Sequence, residues 1–459
     1  MKVTGKKFKM WLISFAAFAV ILLIAWVLLV LLEGERPSIQ IELPSSSVGA
    51  PRRIFVSLAD GKSGLRKTWI GLIKDGKENV LVEKNYPAAG FISGGEVREE
   101  SFEVLLDPKK LGISDGKAIL RLAAWDFSWR HWWHGNRTDL EKELTIDTRP
   151  PEIDILTRVH NVSQGGSGLV IYKISESCPE NGIYVGENYF PGYSGHFKNP
   201  DTFMAFFALD HTQGPGTQIF VKATDPAGNS TLAGFPYYIR QRTFKNDILN
   251  ISDTFLNAKM PEFDIDIQAD SPNPQLAKFL RVNRELRKEN FKKIKEIGGQ
   301  TDRVLHWNGD FLRLPQAAPR AGFADQREYR YKGRVIDHQV HMGVDLASVS
   351  QSPVPAANNG KVVFVENLGI YGKTVVIDHG FGLFSMYAHL SQVNAENGQK
   401  VSKGDIIGRT GITGLAGGDH LHFGVFIHNT FVNPLEWWDK AWIQNNISSK
   451  IDTVSSLLQ

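Results

Sequence analysis

Three short motifs between positions 341 and 422 carry side chains able to bind a metal or move a proton: His341-Met-Gly-Val-Asp345, Tyr387-Ala-His389-Leu and His420-Leu-His422. His420 and His422 are two apart, and the flanking Phe423, Val425 and Ile427 predict a strand. Residues i and i+2 of a strand share a face, so both rings can enter one cavity. His341 and Asp345 straddle Gly343, which is expected to let the backbone bend so that both side chains turn inward. His389 sits in Tyr387-Ala-His389-Leu. A few neutral imidazoles and a carboxylate converging on one point, with a position left for water, make a hydrolytic metal site. One such motif would say little. Three of them, in a glycine-punctuated β segment, point to a metal centre.

These residues resemble the lysostaphin-type (LytM-like) zinc endopeptidases that cut bacterial cell-wall peptides. The likeness runs from about Phe311 to Trp438 and takes in His341-x-Gly-x-Asp345-Leu-Ala, Pro353-Val-Pro-Ala356 and Gly360-Lys-Val362. It continues through Val376-Ile-Asp-His-Gly380, Tyr387-x-His389-Leu, Val401-x-x-Gly404-Asp-x-Ile-Gly408 and Thr413-Gly414, and closes with His420-Leu-His422-Phe. The resemblance implies that His341, Asp345 and His422 bind one Zn2+ per chain. It implies that His389 and His420 handle the water proton and the developing oxyanion. Two positions depart from the pattern: Ala324 follows Phe323 where Gly is usual, and Lys373 replaces a common Asn after Gly372. Both bear on groove shape rather than on metal binding. His338, His379 and His428 fall outside the matched positions and read as structural.

The elements that must position this segment follow from the rest of the chain. Trp11 to Leu32 is an apolar run without a charge, long enough at 1.5 Å per residue to cross a bilayer core as a helix. Lys2, Lys6, Lys7 and Lys9 precede it and Glu33 and Glu35 follow, so the positive-inside rule leaves residues 1–10 in the cytoplasm as a tail. The expectation is an uncleaved single-pass anchor at 11–32 in the cytoplasmic membrane, with the bulk of the chain in the periplasm or otherwise outside. A net charge of +3 over 459 residues gives no reason to expect nucleic acid, and the single Cys178 allows no intramolecular disulfide.

From 36 to 241 short alternating strands predict two immunoglobulin-like β-sandwich domains, 36–148 and 149–241. Ile39 to Leu43, Ile54 to Leu58, Trp69 to Ile73 and Ala118 to Ala123 have the half-buried strand pattern. Ala124-Trp-Asp126 with Gly135-Asn136 recurs as Ala223-Thr-Asp225 with Gly228-Asn229, and Pro150-Pro151 suits a joint between the copies. Between Asp126 and Gly135, Trp129, Trp132 and Trp133 crowd together with His131 and His134. They read as packing against a neighbouring domain, ahead of an aromatic platform for a glycan or partner. Asn273-Pro274 and Gly298-Gly299 bracket a helix inside a helical linker, 242–300. A zinc peptidase domain over 301–440 and a C-terminal tail over 441–459 complete a mostly β fold.

The resemblance implies hydrolysis of peptidoglycan peptides, in cross-links or stems, by a zinc-activated water. No His-Glu-x-x-His occurs, so the base role falls to imidazole at a pKa suited to neutral pH. Gly411, Gly414, Gly417 and Gly418 leave room for a narrow peptide groove. The alternative is a non-catalytic or scaffolding envelope protein that binds wall or activates a partner amidase, its β domains holding an envelope protein. All five chemical residues are present, which counts against it.

Overall fold

The computed structural model describes residues 4–90, 94–267 and 272–458. It is mostly β and divides into two compact units, Met1–Pro150 with Thr224–Ser230, and Pro151–Ala223 with Thr231–Gln459.

The first unit begins with the helix Thr4–Leu31, whose stretch Lys7–Leu29 is long and apolar enough to cross a membrane. A β domain follows. One sheet orders Ser38–Glu42, Arg52–Ala59 and Glu99–Leu106; the other orders Ser47–Val48, Arg137–Ile146, Gly116–Asp126, Leu65–Lys74 and Lys77–Asn85. Their alternating inward residues, among them Ile54, Val56, Ile70, Val104, Leu120 and Leu122, form one core. The Trp-rich insertion departs from expectation. Trp132 is 89 % exposed rather than packed, and His131, Trp132 and Trp133 all take left-handed backbone conformations. Trp129 stacks on Trp133 at 4.8 Å and donates its backbone N–H to the Leu31 carbonyl at the helix exit.

In the second unit, Ile153–Ile155, Ser167–Ile174 and Thr202–Ala208 form one sheet, and Asn188–Pro191, Glu180–Val185, Ile219–Thr224 and Ser230–Gly234 another. This β layer shares its core with the C-terminal region: Phe206 meets Trp437 edge-on at 5.9 Å and Tyr193 stacks on Phe381 at 4.9 Å. The helix expected after Asn273 is present. The Asn273 side chain caps it by accepting from the Leu276 N–H, and it runs as Pro274–Arg281, a π turn Val282–Leu286 and Arg287–Gly298. Segment 242–300 also carries the strand Asn246–Ile251, which pairs in parallel with Gln326–Tyr331, and the helix Asp253–Lys259. Residues 268–271 of that segment lie outside the described residues. Residues 441–458 form helical turns that bury Ile443, Ile447 and Val454.

The central sheet orders Ala318–Ala321, Val344–Ala347, Leu421–Ile427, Leu383–Leu390, Lys373–Asp378, Gly360–Asn367 and Lys400–Val401, with Thr430–Val432 hairpinned onto Leu421–Ile427. Leu383–Leu390 and Leu421–Ile427 are buried along their whole length, as continuous apolar strands covered on both faces must be.

Candidate metal centre

Two neighbouring strands of that sheet bring the chemistry together. In the antiparallel register Asp345 lies directly opposite His422, so their side chains emerge side by side on one face. Asp345 Oδ1 stands 2.9 Å from His422 Nδ1 and 3.0 Å from His341 Nε2, and the two imidazole nitrogens are 3.0 Å apart. His341, at the end of the strand Arg334–Val340, is held by its backbone, which accepts from Ala324 N–H and donates to Asp325 O. All three residues are buried. They form a triangle of two nitrogens and one oxygen, a donor set suited to a metal ion. A tetrahedral ion bound at about 2.0–2.1 Å would separate such ligands by roughly 3.3 Å, close to what is observed.

The tautomers follow from chemistry, because a backbone carbonyl can only accept. His341 Nδ1 donates to Gly322 O (2.8 Å), His389 Nδ1 to Thr413 O (2.8 Å) and His420 Nδ1 to Gly418 O (2.7 Å). Each neutral ring therefore carries its lone pair on Nε2. His422 is the exception. Its Nδ1 faces the other two donors, while its Nε2 is buried without a hydrogen-bond partner among the described residues. The Nε2 edge lies where a Cβ on Gly343 would be, 2.6 Å away. Gly343 thus serves by leaving room for the ring, not by bending the chain. Its φ is not in the left-handed region.

His389 and His420 sit beside this triangle. Their ring centroids are 4.8 Å apart, His389 lies 5.8 Å from His422, and His420 Nε2 is 3.6 Å from Asp345 Oδ1. His389 adopts a left-handed φ of 61°, the kind of backbone strain that persists only where surrounding structure imposes it. Burial opposes charge on Asp345, yet hydrogen bonds and attraction from His341, His420 and His422 hold its carboxyl well below the usual range. Burial lowers His389 well below an ordinary imidazole, helped by His420 and His422. Burial also works against protonated His420, but its bond to Asp345 raises it on balance.

One functional neighbour was not apparent from the sequence. Arg327, on the strand Gln326–Tyr331, donates from Nη2 to Asp345 Oδ2 at 2.9 Å. Alternation in Gln326-Arg-Glu-Tyr-Arg-Tyr331 marks it as facing one side, but nothing local says which side holds the carboxylate. Of the histidines outside the matched positions, His379 bridges Asn359 O and Ser385 Oγ and His428 is buried against Gly298 O and Tyr193, whereas His338 is exposed. Ala324 has a φ of 60°, which explains why glycine suits that position. Lys373 ties its N–H to Thr413 Oγ1 and its Nζ to Ser391 O.

The centre lies in a cleft of about 320 Å3. One wall carries Tyr371, Leu415 and Gly417 beside the histidines; Leu249, Ile251, Phe255 and Phe279 of segment 242–300 line the same cleft. Lys259 donates to the Ile412 carbonyl and to Glu262, so the short helix is fastened to the loop that bears His420.

Among protein families, the model described as Peptidase family M23 matches residues 339–434. The chain is 35% identical over 135 residues to the DD-carboxypeptidase/endopeptidase Mpg of Neisseria meningitidis, covering 29% of this chain and 30% of Mpg. It is 34% identical over 116 residues to the peptidoglycan DD-endopeptidase ShyB of Vibrio cholerae, covering 25% of this chain and 26% of ShyB. The catalytic domain of the antimicrobial peptidase lysostaphin from Staphylococcus simulans is 28% identical, covering 28% of this chain and 98% of that one at a TM-score of 0.25. The matched segment therefore spans less than a third of either curated relative. Over residues 339–434 this chain carries a Peptidase family M23 domain.

Proposed function

We propose that the chain is a membrane-anchored zinc metalloendopeptidase that hydrolyses peptide bonds of peptidoglycan, in cross-links or stems. The observation that carries this reading is the triangle of His341 Nε2, Asp345 Oδ1 and His422 Nδ1, with edges of 2.9–3.0 Å and two further imidazoles at its rim. Two neutral imidazoles and a carboxylate match zinc in charge and softness, and leave a fourth position for water or substrate. The relative ShyB, named a peptidoglycan DD-endopeptidase, supports the substrate class.

His341, Asp345 and His422 would hold the ion. When bound there, zinc supplies Lewis-acid polarisation of a carbonyl and acidifies a water toward neutrality. The protein does the rest. Gly322 O orients His341, and Arg327 holds the outer oxygen of Asp345. His389, fixed by Thr413 O and kept neutral by burial, presents Nε2 as the proton acceptor. His420, fixed by Gly418 O at the rim of the triangle, is the second imidazole, placed to stabilise the developing oxyanion.

The helix Thr4–Leu31 is read as the anchor, placing the rest of the chain outside the cytoplasm, with exposed Trp132 near its exit in the band where aromatic rings meet lipid headgroups. The β layers are read as immunoglobulin-like domains 36–148 and 149–241 that can hold an envelope partner, joined through 242–300 to the peptidase over 301–440.

Incubating the purified chain with peptidoglycan and identifying products by mass spectrometry tests the reading. Cleaved peptide cross-links or stems are expected, abolished by chelation and restored by zinc. Intact peptides in every condition, from a chain that binds zinc, would favour the non-catalytic alternative.

A further inference from the structure

We propose that Glu33, Asp60 and Asp126 form a calcium site in the first β domain, which locks the exit of the N-terminal helix to that domain. This proposal is independent of the peptidase reading.

Each of the three carboxylates brings an oxygen within 4.8 Å of the others. All are buried: Glu33 is 8 %, Asp60 2 % and Asp126 0 % exposed. Among the described residues none is in an ion pair, and nearby Lys62 pairs with Glu35 instead, at 3.0 Å. Much of the cluster is satisfied by neutral donors. Asp126 Oδ1 accepts from the N–H groups of Ser128 (3.0 Å) and Asn136 (2.6 Å), and Oδ2 from Asn136 Nδ2 (2.8 Å). Asp60 Oδ1 accepts from the N–H groups of Gly64 (2.6 Å) and Lys62 (3.2 Å). Glu33 accepts from Ser63 Oγ and the Glu35 N–H.

Asp60 Oδ2 is different, because it is buried and has no hydrogen-bond partner among the described residues. A carboxylate oxygen shut away from water and from every donor is costly. Its neighbours are two more buried carboxylates, which aggravates the cost. A divalent cation removes both penalties at once. The donor set is all oxygen, with no imidazole or thiolate, which favours a hard ion. Three carboxylates from three separate segments suit the flexible, high coordination of calcium better than the strict octahedron of magnesium.

The position shows what the ion would do. Glu33 follows the helix Thr4–Leu31 almost at once. The loop that begins at Asp126 already grips this exit: Trp129 N–H reaches Leu31 O, Ser128 Oγ reaches Glu33 O, and Asn136 Nδ2 reaches Glu33 O and Glu35 O. The Asp–Asn part of this clamp recurs in the same unit. There Asp225 accepts from Asn229 N–H and Nδ2, and Asn229 Nδ2 donates to Asp147 O and Arg149 O. The clamp thus accounts for Asp126 and Asn136 as repeat architecture. It does not account for Glu33 meeting Asp60 with an oxygen left over. A cation there cross-links the helix exit, the turn after Arg52–Ala59 and the end of Gly116–Asp126.

The test uses the full chain in detergent, stripped of calcium and titrated with calcium chloride or magnesium chloride by isothermal calorimetry. Hydrogen exchange is followed in parallel. One calcium per chain is expected in the range of extracellular modules, roughly 10⁻⁴–10⁻³ M, with slower exchange at 33–36, 60–64 and 126–136. Asp60→Asn should weaken calcium binding at least tenfold. No calcium uptake at concentrations on the order of 10 mM, well above that range, would overturn the proposal. So would protection confined to other segments, unchanged binding by a folded Asp60→Asn, or a preference for magnesium. If Asp60→Asn does not fold, the exchange pattern of the unsubstituted chain decides.

Discussion

The ring of His422 occupies the space where any side chain at Gly343 would begin: a Cβ there would stand 2.6 Å from both Cε1 and Nε2. Gly343→Ala must therefore push the ring or the strand aside, an overpacking cost of about 1–3 kcal/mol. The expected outcome is a folded chain of lower melting temperature with little bound metal. Atomic emission beside a thermal melt checks it. Full metal content in the variant would show that the contact does not set the position of the ring.

His420 and His422 share a face but differ in what they touch. His422→Ala should lose metal and activity together. His420→Ala should keep about one zinc per chain while peptidoglycan cleavage falls by roughly 10²–10⁴, the usual contribution of positioned acid–base groups. Loss of zinc from His420→Ala with retention in His422→Ala would reverse the two roles. No change in either variant would place the site elsewhere.

Arg327 holds Asp345 Oδ2 and is itself largely buried. Groups that orient a metal ligand are typically worth 10–100-fold in metal affinity, and Arg327→Ala should lose about that factor. Competition with a coloured chelator measures it. A variant with unchanged affinity but reduced cleavage would move Arg327 from orienting the carboxylate to contacting substrate.

The helix Asp253–Lys259 borders the cleft and is tied to the His420 loop through Lys259 and the Ile412 carbonyl. If this tie restrains access, Lys259→Ala should raise the rate of cleavage. Loss of a hydrogen bond worth about 1 kcal/mol shifts an open–closed balance roughly fivefold. Initial rates on soluble muropeptides provide the measurement, and an unchanged or lower rate in a folded variant removes the case for restraint by this segment.

Glu436 is buried where its Oε2 accepts from Ser167 N–H and Oγ, and burial raises its carboxyl from 4.5 to about 7. Between those values the folded chain keeps a proton that the unfolded chain has lost. Stability should therefore fall as pH rises from about 4.5 to about 7, by on the order of 3 kcal/mol, and level off above. Glu436→Gln should flatten this slope in melts recorded across that range. A parallel slope in both proteins would assign the pH dependence to other groups.

The sequence by itself determined the residue types of the centre, because metal-binding chemistry admits few side chains and strand alternation puts His420 and His422 on one face. It also determined the apolar helix, the capped helix after Asn273 and the paired Asp–Asn repeats, all of which depend on neighbours close in the chain. Only the tertiary structure decided that His422 turns its Nδ1 inward while the other three rings turn Nε2, since that depends on which carbonyl each ring meets across the sheet. The same holds for Arg327, whose carboxylate partner comes from another strand, and for Gly343, which is needed for a contact 79 residues away. It holds again for Trp132, where aromatic composition suggested packing and the backbone instead turns the ring outward. Local pattern encodes which face a side chain takes, but the partner on that face is set by strand register and by long-range packing.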